Sequence, residues 1–352
     1  MPKQNRPDFA HRETDKLIEE LEKALEGAYG EAYQEIAEKA VDYFRRFEAK
    51  DEKWRLWVEQ GKKTEDEYRA WRQSQMMMGK RWENLRDELA QDMVNADQIA
   101  AKMIRDELPE IYALNHNWQT FEIEKALEMS TNYNLYNADT VKHLMKENPK
   151  LLPKPKVDIP KDMRWNMQRV QSKMLQGILQ GKSIPELAKD IASVTDGNEK
   201  NAIRNARTMA TGAQNAGRQQ AMTRARGKGV KLRRTWVATL DMRTRHEHRV
   251  LDGQTVDVDE PFKVEGYEIM FPGDPSAEPE MVYNCRCRTI GQVKGFERDI
   301  RGFDLRDDPD IEGMSYDEWK ESRKEKPRRI TRQKEVGETI RGSYYHQYAS
   351  DD

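Results

Sequence analysis

The sequence predicts an α+β protein: long α-helices through the N-terminal two thirds, a small β-rich, turn-laden module at about 230–293, and a polar C-terminal tail. Three observations predict it. Apolar residues recur at steps of three or four through most of the chain before Gly227. From Val230 the pattern changes to a run of β-formers, Lys231-Leu-Arg-Arg-Thr-Trp-Val-Ala-Thr-Leu240, and then to close punctuation by Gly253, Pro261, Gly266, Pro272-Gly273, Pro275 and Pro279. Charged residues make up 35% of the 352 and hydrophobic residues only 36%. That balance suits elongated helices with much solvated surface, or a chain that buries surface in an assembly.

The first helix is expected over 14–48, where Leu17, Leu21, Leu25, Ala28, Ala32, Ile36, Ala40, Phe44 and Phe47 share one face. A second helical region is expected from about Glu52 to Leu108, carrying Trp54, Trp57, Trp71, Trp82 and Met76-Met-Met78, with Pro109 interrupting it. Its Trp and Met stripe reads as a packed helix face, or as an adhesive surface for a partner helix. Residues 110–150 read as helix broken by Asn-rich turns such as Asn132-Tyr-Asn134. Three prolines within 153–160 make 151–160 the linker between a helical N-terminal domain, 1–150, and a helical segment, 161–229.

Within that segment Met163, Val170, Met174, Leu175 and Ile178 form an apolar face. Gly181 stops the helix, and Ser183 with Glu186 forms a capping box with Pro185 in the first turn. The resulting helix pair reads as simple packing rather than DNA recognition, because its second helix is not basic. Another helix spans Lys200 to about Arg226 and ends at Gly227 and Gly229. Beyond the β-rich module, 294–352 reads as a polar tail that docks at most a short helix through Tyr316 and Trp319.

The net charge of −2 gives no global field toward nucleic acid. No apolar run is long enough for a membrane span, and the N-terminus lacks an apolar signal region, so a cytosolic protein is expected. The two cysteines, Cys285 and Cys287, stand too close for an unstrained disulfide and read as thiols or metal ligands.

Three constellations are candidates for chemistry. His246 and His248, with Cys285 and Cys287, have the ligand types for one tetrahedral zinc, since alternate residues of a strand share a face. The bland alternative buries the cysteines as small apolar residues. Asp241, Glu247 and Asp252 beside the histidines suggest metal-assisted phosphodiester hydrolysis, against a simpler role as turn formers. No phosphate loop, nucleophile elbow or metalloprotease helix is present. Finally, 201–240 holds nine basic residues and no acidic one: Arg204, Arg207, Arg218, Arg224, Arg226, Lys228, Lys231, Arg233 and Arg234. Such a stripe suits non-specific contact with a DNA backbone, or pairing with an acidic protein surface.

The order Trp236-x-Ala-Thr-x-Asp241-x-Arg243-Thr244-Arg245, then His248, Leu251-Asp252-Gly253, Pro272-Gly273-Asp274 and Asn284-Cys285-Arg286-Cys287 resembles the phage Mu F-like family of head morphogenesis, or minor head, proteins. The likeness is strongest over 230–292 and extends back to about Asp162. It implies a structural virion protein of the head, near the portal vertex, assembled in the host cytoplasm and acting in head assembly, DNA packaging or DNA exit. The implied partners are a portal protein, a scaffold or major capsid protein, and double-stranded DNA bound without sequence preference. It implies no catalytic residues and no cofactor other than a possible zinc. Some relatives carry Cys-x-x-Cys where this chain has Arg245 and His248, and an acidic residue where it has Met209. The rival to this reading is a metal-dependent phage nuclease or toxin-like module built on the His/Cys cluster. Arg286, flanked by the cysteines, is expected on the opposite face, paired with Asp241, Asp252 or Asp274.

Overall fold

The computed structural model describes residues 7–130, 133–296, 306–307, 311 and 313–324. Of the polar tail expected over 294–352, only 294–296, 306–307, 311 and 313–324 are among the described residues.

Helix α1 (Phe9–Arg45) starts where the Asp8 carboxylate accepts the His11 amide at 2.9 Å. Two short helices follow, α2 (Glu48–Glu59) and α3 (Glu65–Met76), the latter opened by a Thr64–Glu67 capping box. Helix α4 (Lys80–Leu127) is 48 residues long. The single helical region expected over 52–108 is therefore three helices, broken at the Lys62–Thr64 turn and at Gly79. Pro109 does not interrupt α4 but sits inside it. An internal proline costs a helix about 3 kcal/mol. Burial of Leu108, Pro109, Ile111 and Tyr112 in a core shared with neighbouring helices offsets that.

After β1 (Met129–Ser130) and α5 (Ala138–Glu147) come α6 (Ile159–Leu179), α7 (Ile184–Ala192) and α8 (Val194–Arg226). The capping box that opens α7 is formed, with Glu186 accepting from the Ser183 amide and hydroxyl at 2.7 Å each. Two cores organise these helices. One joins the C-terminal half of α1 to α3, the start of α4, α6 and α7, around Phe44, Trp82, Val170, Leu187 and Ile191. The other joins the N-terminal half of α1 to the middle of α4, α5 and α8, around Leu25, Tyr29, Ile104 and Tyr112. Helices on both sides of 151–160 share these cores, and Leu152 is itself buried in the second. Alanines 202, 206, 210 and 213 line the buried face of α8, which lets it lie close along α4 and α1. Trp82, Met76 and Met77 are buried, whereas Trp54 stacks on Trp71 at 5.4 Å nearer the surface.

The β-rich module follows directly. Strand β2 (Val230–Val237) is the centre of an antiparallel sheet of order β3-β2-β6, flanked by β3 (Thr255–Asp257) and β6 (Arg288–Phe296). Between them lie α9 (His246–Leu251), the hairpin β4 (Phe262–Val264) with β5 (Tyr267–Ile269), and α10 (Pro279–Val282). Trp236, Phe262, Ile269, Met281 and both cysteines form the module's core. Strand β7 (Arg306–Asp307) pairs with β1, and α11 (Tyr316–Lys324) docks on α4. The buried Glu124 carboxylate anchors it, accepting from Trp319 Nε1 at 2.6 Å and from Arg323. Among the described residues no helix is long and apolar enough to cross a membrane.

Candidate functional site

The motif residues gather where the β-rich module meets α8. Thr208, Thr211, Asn215 and Arg218 recur at helical spacing, so they share one face of α8, and that face is turned to residues 284–289. Thr208 Oγ1 accepts the Asn284 amide at 3.0 Å. Thr211 Oγ1 donates to the Cys285 carbonyl at 2.6 Å. Asn215 donates to the Cys287 carbonyl at 3.2 Å and accepts the Thr289 amide at 2.9 Å. Arg218 donates to the Thr289 carbonyl at 3.2 Å, to Asn115 Oδ1 at 2.9 Å, and to both Asp8 oxygens at 2.7 and 2.9 Å. The backbone of Asn284-Cys-Arg-Cys287 is thus held rung by rung on the helix. Asn284 supplies the turn into it at φ 53°, a left-handed conformation that Asn tolerates well.

The other motif residues close turns around this seam. Asp252 Oδ1 accepts the Ala238 amide at 2.8 Å, and the Gly253 amide donates to the Trp236 carbonyl at 2.9 Å. Asp241 Oδ1 accepts from the Arg243 amide at 2.8 Å and from Thr244 Oγ1 at 3.1 Å, while Oδ2 pairs with Arg286 at 2.6 Å. The buried Asp274 carboxylate accepts the Met270 and Ser276 amides at 3.2 and 2.9 Å. Pro272 and Gly273 are buried against α8, where Gly273 meets Gly212 backbone to backbone.

Of the four proposed metal ligands the structure assembles three. His248, Cys285 and Cys287 are buried, with ligand atoms all within 4.8 Å of one another. His246 is not among them. Residues 246–251 form a helix, not a strand, so two residues apart means nearly opposite faces. His248 points into the core, and His246 is exposed beside Glu265 at 3.3 Å. The nuclease alternative on the four-residue cluster loses one ligand with it. A hydrogen bond between the thiols splits them: Cys285 is held well above the ordinary thiol range and Cys287 well below it.

The structure divides the basic stripe into buried and exposed members. Arg218 is 1% and Arg234 0% exposed. Arg234 donates to Gln219 at 2.6 Å and to the Glu260 carbonyl at 2.5 Å, and burial pushes it down to about 10. Arg207 pairs with Glu22, Arg226 with Asp259 and Arg233 with Asp257. Arg204 lies over Tyr283, and Arg224 over Tyr133 and Tyr136. Lys228 and Lys231 are exposed and have partners within the fold. The acids that compensate this run come from elsewhere in the chain, so its local asymmetry does not produce a continuous free cationic face.

Reading the sequence missed Asp8, Asn115, Thr211, Gly212 and Asn215. Only the helical spacing of the α8 polar residues signalled any of them.

Motif side chains whose bonds run back into the fold mark a structural module joined to a helical body. Residues 168–290 match the model of the family described as Phage Mu protein F like protein. The chain is 24% identical over 327 residues to "Minor head protein GP7" of Bacillus phage SPP1, covering 92% of this chain and 99% of that protein. It is also 38% identical over 152 residues to "NAD(+)--arginine ADP-ribosyltransferase EFV" of Enterococcus faecalis, covering 43% of this chain but only 31% of that protein. No solved structure matches the chain. Over residues 168–290 the chain is thus similar to the Mu F-like family, and along nearly its whole length to a phage minor head protein.

Proposed function

We propose that the protein is a minor component of a phage head, bound at the portal vertex, that acts in head assembly and in DNA packaging or exit. The end-to-end likeness to a minor head protein carries this reading. The helical body offers exposed apolar residues to test as contacts: Leu56 and Met78 are 48% and 68% exposed, and Ile159, Trp165 and Leu179 stand exposed on α6. Non-specific contact with a DNA backbone would fall to the exposed members of the 201–240 run, such as Arg204, Arg207, Arg226 and Arg233, and not to the buried Arg218 and Arg234. Deleting 1–150 is a poor test, since α1 and α4 form both helical cores with α6–α8.

The test is co-expression of the whole chain with the portal protein of the same phage, followed by affinity purification. A stable complex is expected, weakened at least tenfold by Leu56→Glu with Met78→Glu while helical circular dichroism stays unchanged. Failure of the wild-type chain to form any complex overturns the portal assignment.

A further inference from the structure

We propose that His248, Cys285 and Cys287 bind one tetrahedral divalent ion of the zinc class, which fastens α9 to the segment held by α8. The three side chains are 2%, 2% and 3% exposed. His248 Nδ1 lies 3.6 Å from Cys285 Sγ and 3.4 Å from Cys287 Sγ. In a tetrahedral site with Zn–S about 2.3 Å and Zn–N about 2.0 Å, ligand nitrogen and sulfur stand about 3.6 Å apart. The observed edges have that length. The same histidine places Nε2 at 2.9 Å from the Met281 carbonyl. Nε2 donates there, which leaves the Nδ1 lone pair facing the two sulfurs, the tautomer a metal requires.

The surroundings suit a bound ion. Both thiols face the His248 imidazole, and the carbonyls of both cysteines are fixed by Thr211 and Asn215. The Cys287 amide reaches Cys285 Sγ at 3.4 Å, giving one sulfur a backbone donor. Trp236 packs edge-on against His248 at 5.5 Å and closes the apolar side. In the bound state both cysteines are thiolates, any remaining thiol proton leaving to solvent, and their two charges neutralise the ion, so no net charge is buried. Cys285 also lines a cleft of about 810 Å³ with Thr239, Leu240 and Arg245; the fourth ligand in this proposal is a water from that side. The rival state is a metal-free network of two thiols and an imidazole.

The experiment uses the full chain purified without chelators. Elemental analysis is expected to find about one zinc per chain. Cobalt(II) added to the metal-free chain is expected to give thiolate-to-metal charge-transfer absorption. That absorption should be lost in Cys285→Ser and Cys287→Ser and retained in His246→Ala. Should the serine variants fail to fold, titrating the wild-type thiols with a mercurial decides: two thiols consumed per zinc released supports the site. A folded chain that carries no metal, takes up cobalt without a thiolate band, or releases metal independently of its thiols overturns it.

Discussion

Replacing Arg218 by methionine is expected to lower folding stability by about 3–5 kcal/mol, the loss typical of breaking a buried ion pair from one side. The guanidinium uses its donors on Asp8, Asn115 and the Thr289 carbonyl, so it joins the start of α1, the middle of α4 and strand β6 to α8. Removing it leaves the Asp8 carboxylate with the His11 amide and with Arg288, 3.5 Å away, and strips the Asn115 and Thr289 oxygens of this donor. Arg218→Lys is not expected to rescue, because a single ammonium cannot reproduce the bidentate grip. Urea denaturation followed by circular dichroism measures the loss; a loss below about 1 kcal/mol would be that of an ordinary surface pair.

The same pair sets an acid dependence. Burial by itself would raise the Asp8 carboxyl, but the charge and hydrogen bonds of Arg218 override it and hold the group well below the usual carboxylate range. A depressed folded pKa stabilises above the unfolded value and is lost as pH falls. The stability difference between wild type and Asp8→Asn should therefore be complete at pH 7 and shrink below about pH 4. A difference that stays constant down to pH 3 would show that the carboxylate's charge contributes nothing.

The second large effect is at Gly273. It has φ +79°, and a Cβ there would come 2.6 Å from Gly212 N and 2.8 Å from Gly212 Cα. Alanine must adopt a left-handed conformation, costing about 1–2 kcal/mol, and must push two backbones apart, costing about 1–3 kcal/mol. Gly273→Ala is thus expected to destabilise by about 2–5 kcal/mol. Gly212→Ala meets only the clash, 2.7 Å from the Gly273 carbonyl, and should cost less. The double variant should cost less than the sum, because both changes break one contact. Thermal unfolding of the three variants tests the order; a Gly273→Ala change within about 0.5 kcal/mol of wild type would mean the contact is not made.

Local patterns revealed much of the fold. The periodicity of α1, the β-formers of β2, the Ser183–Glu186 cap and the Gly227–Gly229 stop each depend on neighbouring residues. Continuation of α4 through Pro109 depends on distant packing and could not be read from the proline itself. Helix α9 is only six residues long, too short for apolar periodicity, so His246-x-His248 looked like a strand. The motif residues stood out by type, but their partners did not: Arg218 and Asp8 are 210 positions apart. The partners of the basic run were hidden for the same reason. Its charge asymmetry is local, while the acids that answer it, Asp8, Glu22, Asp257 and Asp259, are not.

Native-state hydrogen exchange of the full chain tests most directly whether α8 and the β-rich module form one clamped unit. The Asn284 and Thr289 amides, donated to Thr208 and Asn215, should open with the same free energy as the amides of 208–218. Opening of 284–289 at a clearly lower free energy, with α8 still protected, would contradict the clamp.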